Sequence, residues 1–202
     1  PVLPATTLAE YCYADMFRGC ASLLAETMDL PATTLAESCY DHMFAECTAL
    51  DVAPVLPATT LAPSCYKGMF EGCTLLMELP KLPVTTLAVS CYEGMFKGCT
   101  ACDVAPKLPA TTLAESCYKS MFEGCTELVE IPELLPATTL AVSCYDSMFK
   151  GCPYFEWAPR LPATTLVDYC YREMFSGCSS LGYLFVGFKA WADEVSATLN
   201  WG

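Results

Sequence analysis

One string dominates the chain. Leu-Pro-Ala-Thr-Thr-Leu, or a close variant, begins at Leu3, Leu30, Leu56, Leu82, Leu108, Leu135 and Leu161, in steps of 26 or 27 residues. Each copy runs on into Cys-Tyr-x-x-Met-Phe-x-x-Cys, with first cysteines from Cys12 to Cys170 and second cysteines from Cys20 to Cys178. A unit this short cannot bury its own apolar face, so neighbouring units must bury it for one another. The composition agrees: hydrophobic residues are 54% of the chain and charged residues only 16%, too apolar for disorder.

Residues 30–56 illustrate the reading of one unit. Thr34 with Glu37 has the form of a capping box, repeated at Thr7/Glu10 and Thr112/Glu115. Leu35, Cys39, Met43 and Cys47 recur at every fourth position, which predicts one stripe of a helix flanked by Tyr40 and Phe44. Glycine precedes the second cysteine in six of the seven copies, where it would close the helix; Glu46 is the exception and predicts an altered end. An apolar residue follows three positions past the second cysteine (Leu23, Leu50, Leu76, Cys102, Leu128, Phe155, Leu181), with another usually three further on. That spacing predicts a strand, kept short by Pro54, Pro80, Pro106, Pro132 and Pro159.

Residues 114–128, Ala-Glu-Ser-Cys-Tyr-Lys-Ser-Met-Phe-Glu-Gly-Cys-Thr-Glu-Leu, resemble the BspA-like leucine-rich repeat of bacterial surface proteins in their apolar-aromatic pair, Gly-Cys step and following leucine. The resemblance spans residues 3–186. Together with the repeat length it implies an α/β solenoid: a right-handed leucine-rich-repeat array of seven units over 1–186, short parallel strands on one side and helices on the other, with 187–202 as a C-terminal cap. Within the cap, Phe188 to Val195 breaks the pattern and would cover the last repeat, with Leu199 and Trp201 continuing it. The resemblance further implies a secreted or cell-surface bacterial protein with a role in adhesion and protein binding, and it supplies no catalytic residues.

A net charge of −13 without a basic stripe excludes nucleic-acid binding as a main function. No apolar run approaches the roughly 20 residues of a membrane span. No charged segment followed by an apolar one marks a signal peptide, and the chain reads as a processed product or a fragment. The 15 cysteines invite disulfide or zinc readings. On a helix, cysteines eight apart would lie about 12 Å from each other, and neighbouring helices about 8–10 Å, both long for a disulfide. Their spacing does not match a metal knuckle, and His42 is the sole histidine. The expectation is therefore a core ladder of free thiols, with no metal and no cofactor. The Tyr13 to Tyr171 series is expected between adjacent helices with its hydroxyls reaching solvent, and His42 on the surface.

No paired acid/base carboxylates, nucleophile elbow or phosphate loop stands out, so the chain reads as a non-enzyme. Function should then lie where the repeats differ. The richest such cluster is Tyr154, Glu156, Trp157, Arg160 and Tyr183, because Tyr, Trp and Arg dominate interface energies. The expected partner is a protein or glycan at a cell surface. The alternative is a structural component whose faces meet copies of itself, as uniform repeats permit.

Overall fold

The computed structural model describes residues 3–24, 28–189 and 196–200. Each repeat forms one coil, and the coils stack in parallel register: Val52 bridges Glu78, Val104 bridges Glu130 and Trp157 bridges Tyr183. The α/β expectation is overturned. Among the described residues there is no helix, and strand pairing is reduced to isolated bridges. Seven ten-residue ribbons of consecutive turns, 10–19, 37–46, 63–72, 89–98, 115–124, 142–151 and 168–177, occupy the places where helices were expected.

The backbone explains why. Ser38, His42 and Glu46 all have positive φ (49°, 49° and 62°), and the same three places in the other coils are left-handed too. One left-handed residue in every four cannot continue a right-handed helix. Amides instead alternate between two kinds of partner. Cys39, Asp41, Met43, Ala45 and Cys47 donate three residues back, to Ala36, Ser38, Tyr40, His42 and Phe44, at 3.0–3.3 Å. Ser38, Tyr40, His42, Phe44 and Glu46 donate forward, to carbonyls of Pro63, Cys65, Lys67, Met69 and Glu71 in the next coil, at 2.7–3.1 Å. Left-handed φ at the third position of turns 36–39, 40–43 and 44–47 is the mark of a type II turn, whose third place favours glycine. Thus Gly72, Gly98, Gly124, Gly151 and Gly177 end no helix; they fill the last left-handed place of each ribbon. Glu46 holds the same conformation, and its amide donates to Glu71 in the next coil as Gly72 does to Lys97, so the altered end expected there is absent. Nor do the threonines act as helix caps: Thr34 and Thr86 form parallel bridges with Thr60 and Thr112.

Along the ribbon, residues go inward in pairs. Cys39, Tyr40, Met43, Phe44 and Cys47 are all fully buried, whereas Asp41, His42 and Glu46 lie on the other side. Since coils hydrogen-bonded in this way lie about 4.8 Å apart, every inward residue rests on its own copies. Tyr40, Tyr66, Tyr92, Tyr118, Tyr145 and Tyr171 form one column, with adjacent ring centroids 5.7–6.0 Å apart. Phe17 to Phe175 form a second at 5.6–6.1 Å. The tyrosine hydroxyls are not uniformly wet, as expected from helices: that of Tyr145 is buried with no hydrogen-bond partner among the described residues.

Charged columns follow a different rule. The position after the tyrosine reads Asp41, Lys67, Glu93, Lys119, Asp146, Arg172, alternating in sign from coil to coil. Lys67 and Lys119 pair with Glu93 at 3.4 and 3.8 Å, and Arg172 grips the fully buried Asp146 through two nitrogens. Like charges one coil apart would repel, so alternation favours the observed register.

At the C-terminal side, Tyr171 and Glu173 donate to Ala197 and Leu199, and Phe188 stacks on Tyr171 at 6.2 Å. Of the expected cap segment 188–195, residues 190–195 lie outside the described residues, as does Trp201.

Left-handed geometry costs an ordinary L-residue about 1–2 kcal/mol, and glycine almost nothing. Glu46→Gly is therefore expected to stabilise the protein by about 1 kcal/mol, because the exposed Arg18–Glu46 pair that it removes contributes less. Calorimetry should show Tm rising by about 2–4 °C; a fall in Tm would show that this ribbon position is not under backbone strain.

Candidate functional site

The position that bridges along the stack reads Val52, Glu78, Val104, Glu130, Trp157, Tyr183. This row points outward, because the residue one place further on (Ala53, Leu79, Ala105, Ile131, Ala158, Leu184) packs on the core. Register thus brings together two residues 26 apart in sequence. The Trp157 and Tyr183 rings stack with centroids 4.0 Å apart and planes 12° from parallel. Both remain about half exposed, at 53% and 52%. Backbone bonds fix them: Ala158 donates to the Tyr183 carbonyl at 2.9 Å, and Tyr183 donates to that of Glu156 at 3.2 Å.

Phe185 joins this cluster. It is 54% exposed, and its ring lies 6.5 Å from Trp157 and nearly parallel to it. Sequence reading missed Phe185, although it stands two residues past Tyr183, on the same side of an extended segment. Arg160 is exposed and held by its backbone, donating to the Glu133 carbonyl at 2.8 Å; Glu156 is exposed beside Trp157. Tyr154 is exposed as well, but makes no ring contact with this group among the described residues. The structure therefore unites Trp157 and Tyr183, adds Phe185, and leaves Tyr154 apart.

His42 is not a plain surface histidine. Its Nδ1 lies 2.5 Å from Asp41 and its Nε2 3.2 Å from Glu71, with the ring pressed over Gly68, so two carboxylates clamp it. No nucleophile adjoins it in these contacts. Among the described residues no group of three or more His, Cys, Asp or Glu is arranged to hold a metal ion.

The expected separation of the thiols rests on helix spacing. Without helices, helix geometry says nothing about them, and stacked coils put cysteines of one column within about the Cα separation of a disulfide. All 15 are nevertheless free, and twelve are buried. The second column has a definite partner: Cys47, Cys73, Cys99, Cys125, Cys152 and Cys178 donate to phenylalanine carbonyls of the preceding coil at 3.0–3.2 Å. Only the protonated thiol can donate. Burial pushes Cys39 and Cys47 up to about 11, and Cys65, Cys73, Cys102 and Cys117 up to about 12. These thiols are kept as unreactive packing groups, since the thiolate is the nucleophile. Cys12 and Cys20, on the first coil, are exposed.

Comparison with protein-family models, curated proteins and solved structures finds no match to this chain.

The raised thiol values carry a pH dependence. The folded state holds protons that the unfolded chain releases near the ordinary thiol value of 9.0, so this stabilisation is complete below that value and is lost as the pH climbs toward 11–12. Urea midpoints should be level from about pH 7 to 8 and fall steeply above about pH 9. A midpoint unchanged up to about pH 11 would show that these thiols ionise as readily in the fold as outside it.

Proposed function

We propose that the protein is a non-catalytic scaffold that presents a binding surface, with Trp157, Tyr183 and Phe185 as its contact patch for a protein or glycan partner at a bacterial cell surface or in the extracellular space. One observation carries this reading: three large aromatic rings, Trp157 and Tyr183 of the outward row and Phe185 beside them, lie nearly parallel and remain half exposed. Elsewhere in the fold, aromatic columns are buried. Rings already fixed by coil register lose little conformational freedom on binding, which favours affinity. Arg160 supplies a charged group nearby that no side-chain ion pair occupies among the described residues.

A second reading has its own support. The first coil exposes Tyr11, Met16, Cys12 and Cys20, an apolar surface of the kind that the other coils cover with a neighbour. Copies of the chain could stack there, as a structural element would.

The test uses glycan arrays and flow cytometry on bacterial and epithelial cells, comparing the wild type with Trp157→Ala and Tyr183→Ala. The expected outcome is saturable wild-type binding that each variant weakens at least about tenfold, in line with aromatic anchors worth about 2 kcal/mol or more. Equal binding by wild type and variants, with unchanged Tm, would remove the patch. Sedimentation showing a polymer that Met16→Asp dissolves would favour the second reading instead.

A further inference from the structure

Ten cations serve a molecule of net charge −13, and their placement is uneven. Arg18, Lys67, Lys97, Lys119, Lys150 and Arg172, all on the ribbons, lie in ion pairs. Lys81 and Lys107 do not: both are exposed, and neither has an ion-pair partner among the described residues. They occupy the same place in adjacent coils, in the matching segments Leu79-Pro80-Lys81-Leu82-Pro83 and Ala105-Pro106-Lys107-Leu108-Pro109. Their backbones are therefore about 4.8 Å apart along the stack. In the column after the tyrosine, adjacent coils alternate in sign; here two like charges occupy one position in adjacent coils.

They also share a cavity. An open groove of about 830 Å³ crosses the third and fourth coils, with both lysines on its lining. The rest of the lining is mainly apolar, including Met77, Leu79, Pro80, Val104 and Pro106. Glu78 and Asp103 line the groove too, within 4 Å of neither ammonium group. This volume is that of a small-molecule site. A single anionic group between the two ammonium groups would relieve their mutual repulsion, whereas Glu78 and Asp103 would repel a second negative group.

We propose that this groove binds a small amphiphilic monoanion, its one carboxylate or sulfonate bridging Lys81 and Lys107 and its apolar body lying on Met77, Pro80 and Pro106. The site is two coils from Trp157 and does not depend on the surface proposed there.

Two fluorescent probes test this: 8-anilinonaphthalene-1-sulfonate, an apolar body with one sulfonate, and N-phenyl-1-naphthylamine, the same body without it. The sulfonate is expected to bind the whole chain at one site, more weakly as salt is added. The Lys81→Ala/Lys107→Ala double variant should weaken it at least tenfold while leaving the neutral probe unchanged. Lys67→Ala/Lys119→Ala, which removes two lysines already paired, should leave both probes unchanged. Absence of sulfonate binding by the wild type, or equal binding by the Lys81/Lys107 variant with an unaltered Tm, would overturn the proposal.

Discussion

The hydrogen bonds between coils are the constraint from which the rest of the structure follows. Every second amide of a ribbon points along the stack to a carbonyl 25 or 26 residues ahead, as Tyr66 to Cys91 and Phe70 to Met95. The amides between them close local turns, as Met69 to Tyr66. Ribbon amides thus find partners without helix or sheet, which a buried backbone requires. Left-handed residues are the cost of that alternation, offset by bonds that a lone coil could not make.

Stacking in register then determines which residues each column accepts, because every side chain meets copies of itself. Rings tolerate this well, as the tyrosine and phenylalanine columns show. Cysteine tolerates it for another reason: its thiol proton finds the phenylalanine carbonyl of the coil below. Ionised groups stacked on like charges repel, and in the column after the tyrosine the sequence alternates Lys67, Glu93, Lys119 and Asp146 where it repeats Cys, Tyr, Met and Phe. The unvarying core and the alternating ribbon surface have one origin. The opposite side, with its outward row and the groove beside it, differs from coil to coil as well, and the candidate sites lie there.

The sequence made the stacking of units and the identity of the core legible: Cys39, Met43, Cys47, Leu50 and Cys102 are buried as their recurrence suggests. It misled about secondary structure, since inward positions four apart also suit one face of a helix. Two details favoured the turn ribbon. A strict period of four drifts about 40° per step around a helix of 3.6 residues per turn. Glycines at 68 and 72, and again at 94 and 98, stand four apart where a helix interior would be weakened. The deciding interaction was out of reach of local pattern, because bonds between coils join residues a full repeat apart. Register also explains the outcome at the site. Trp157 and Tyr183 meet because they are 26 residues apart, whereas Tyr154 has no such counterpart across the next coil: Ser180 holds that place.

The most direct test of the turn-built stack is a through-hydrogen-bond NMR coupling experiment on uniformly labelled protein. The amide nitrogens of Tyr66, Gly68, Phe70 and Gly72 should couple to the carbonyl carbons of Cys91, Glu93, Met95 and Lys97. Couplings from the same amides to carbonyls four residues back would mean that these segments are helices, and would contradict the account.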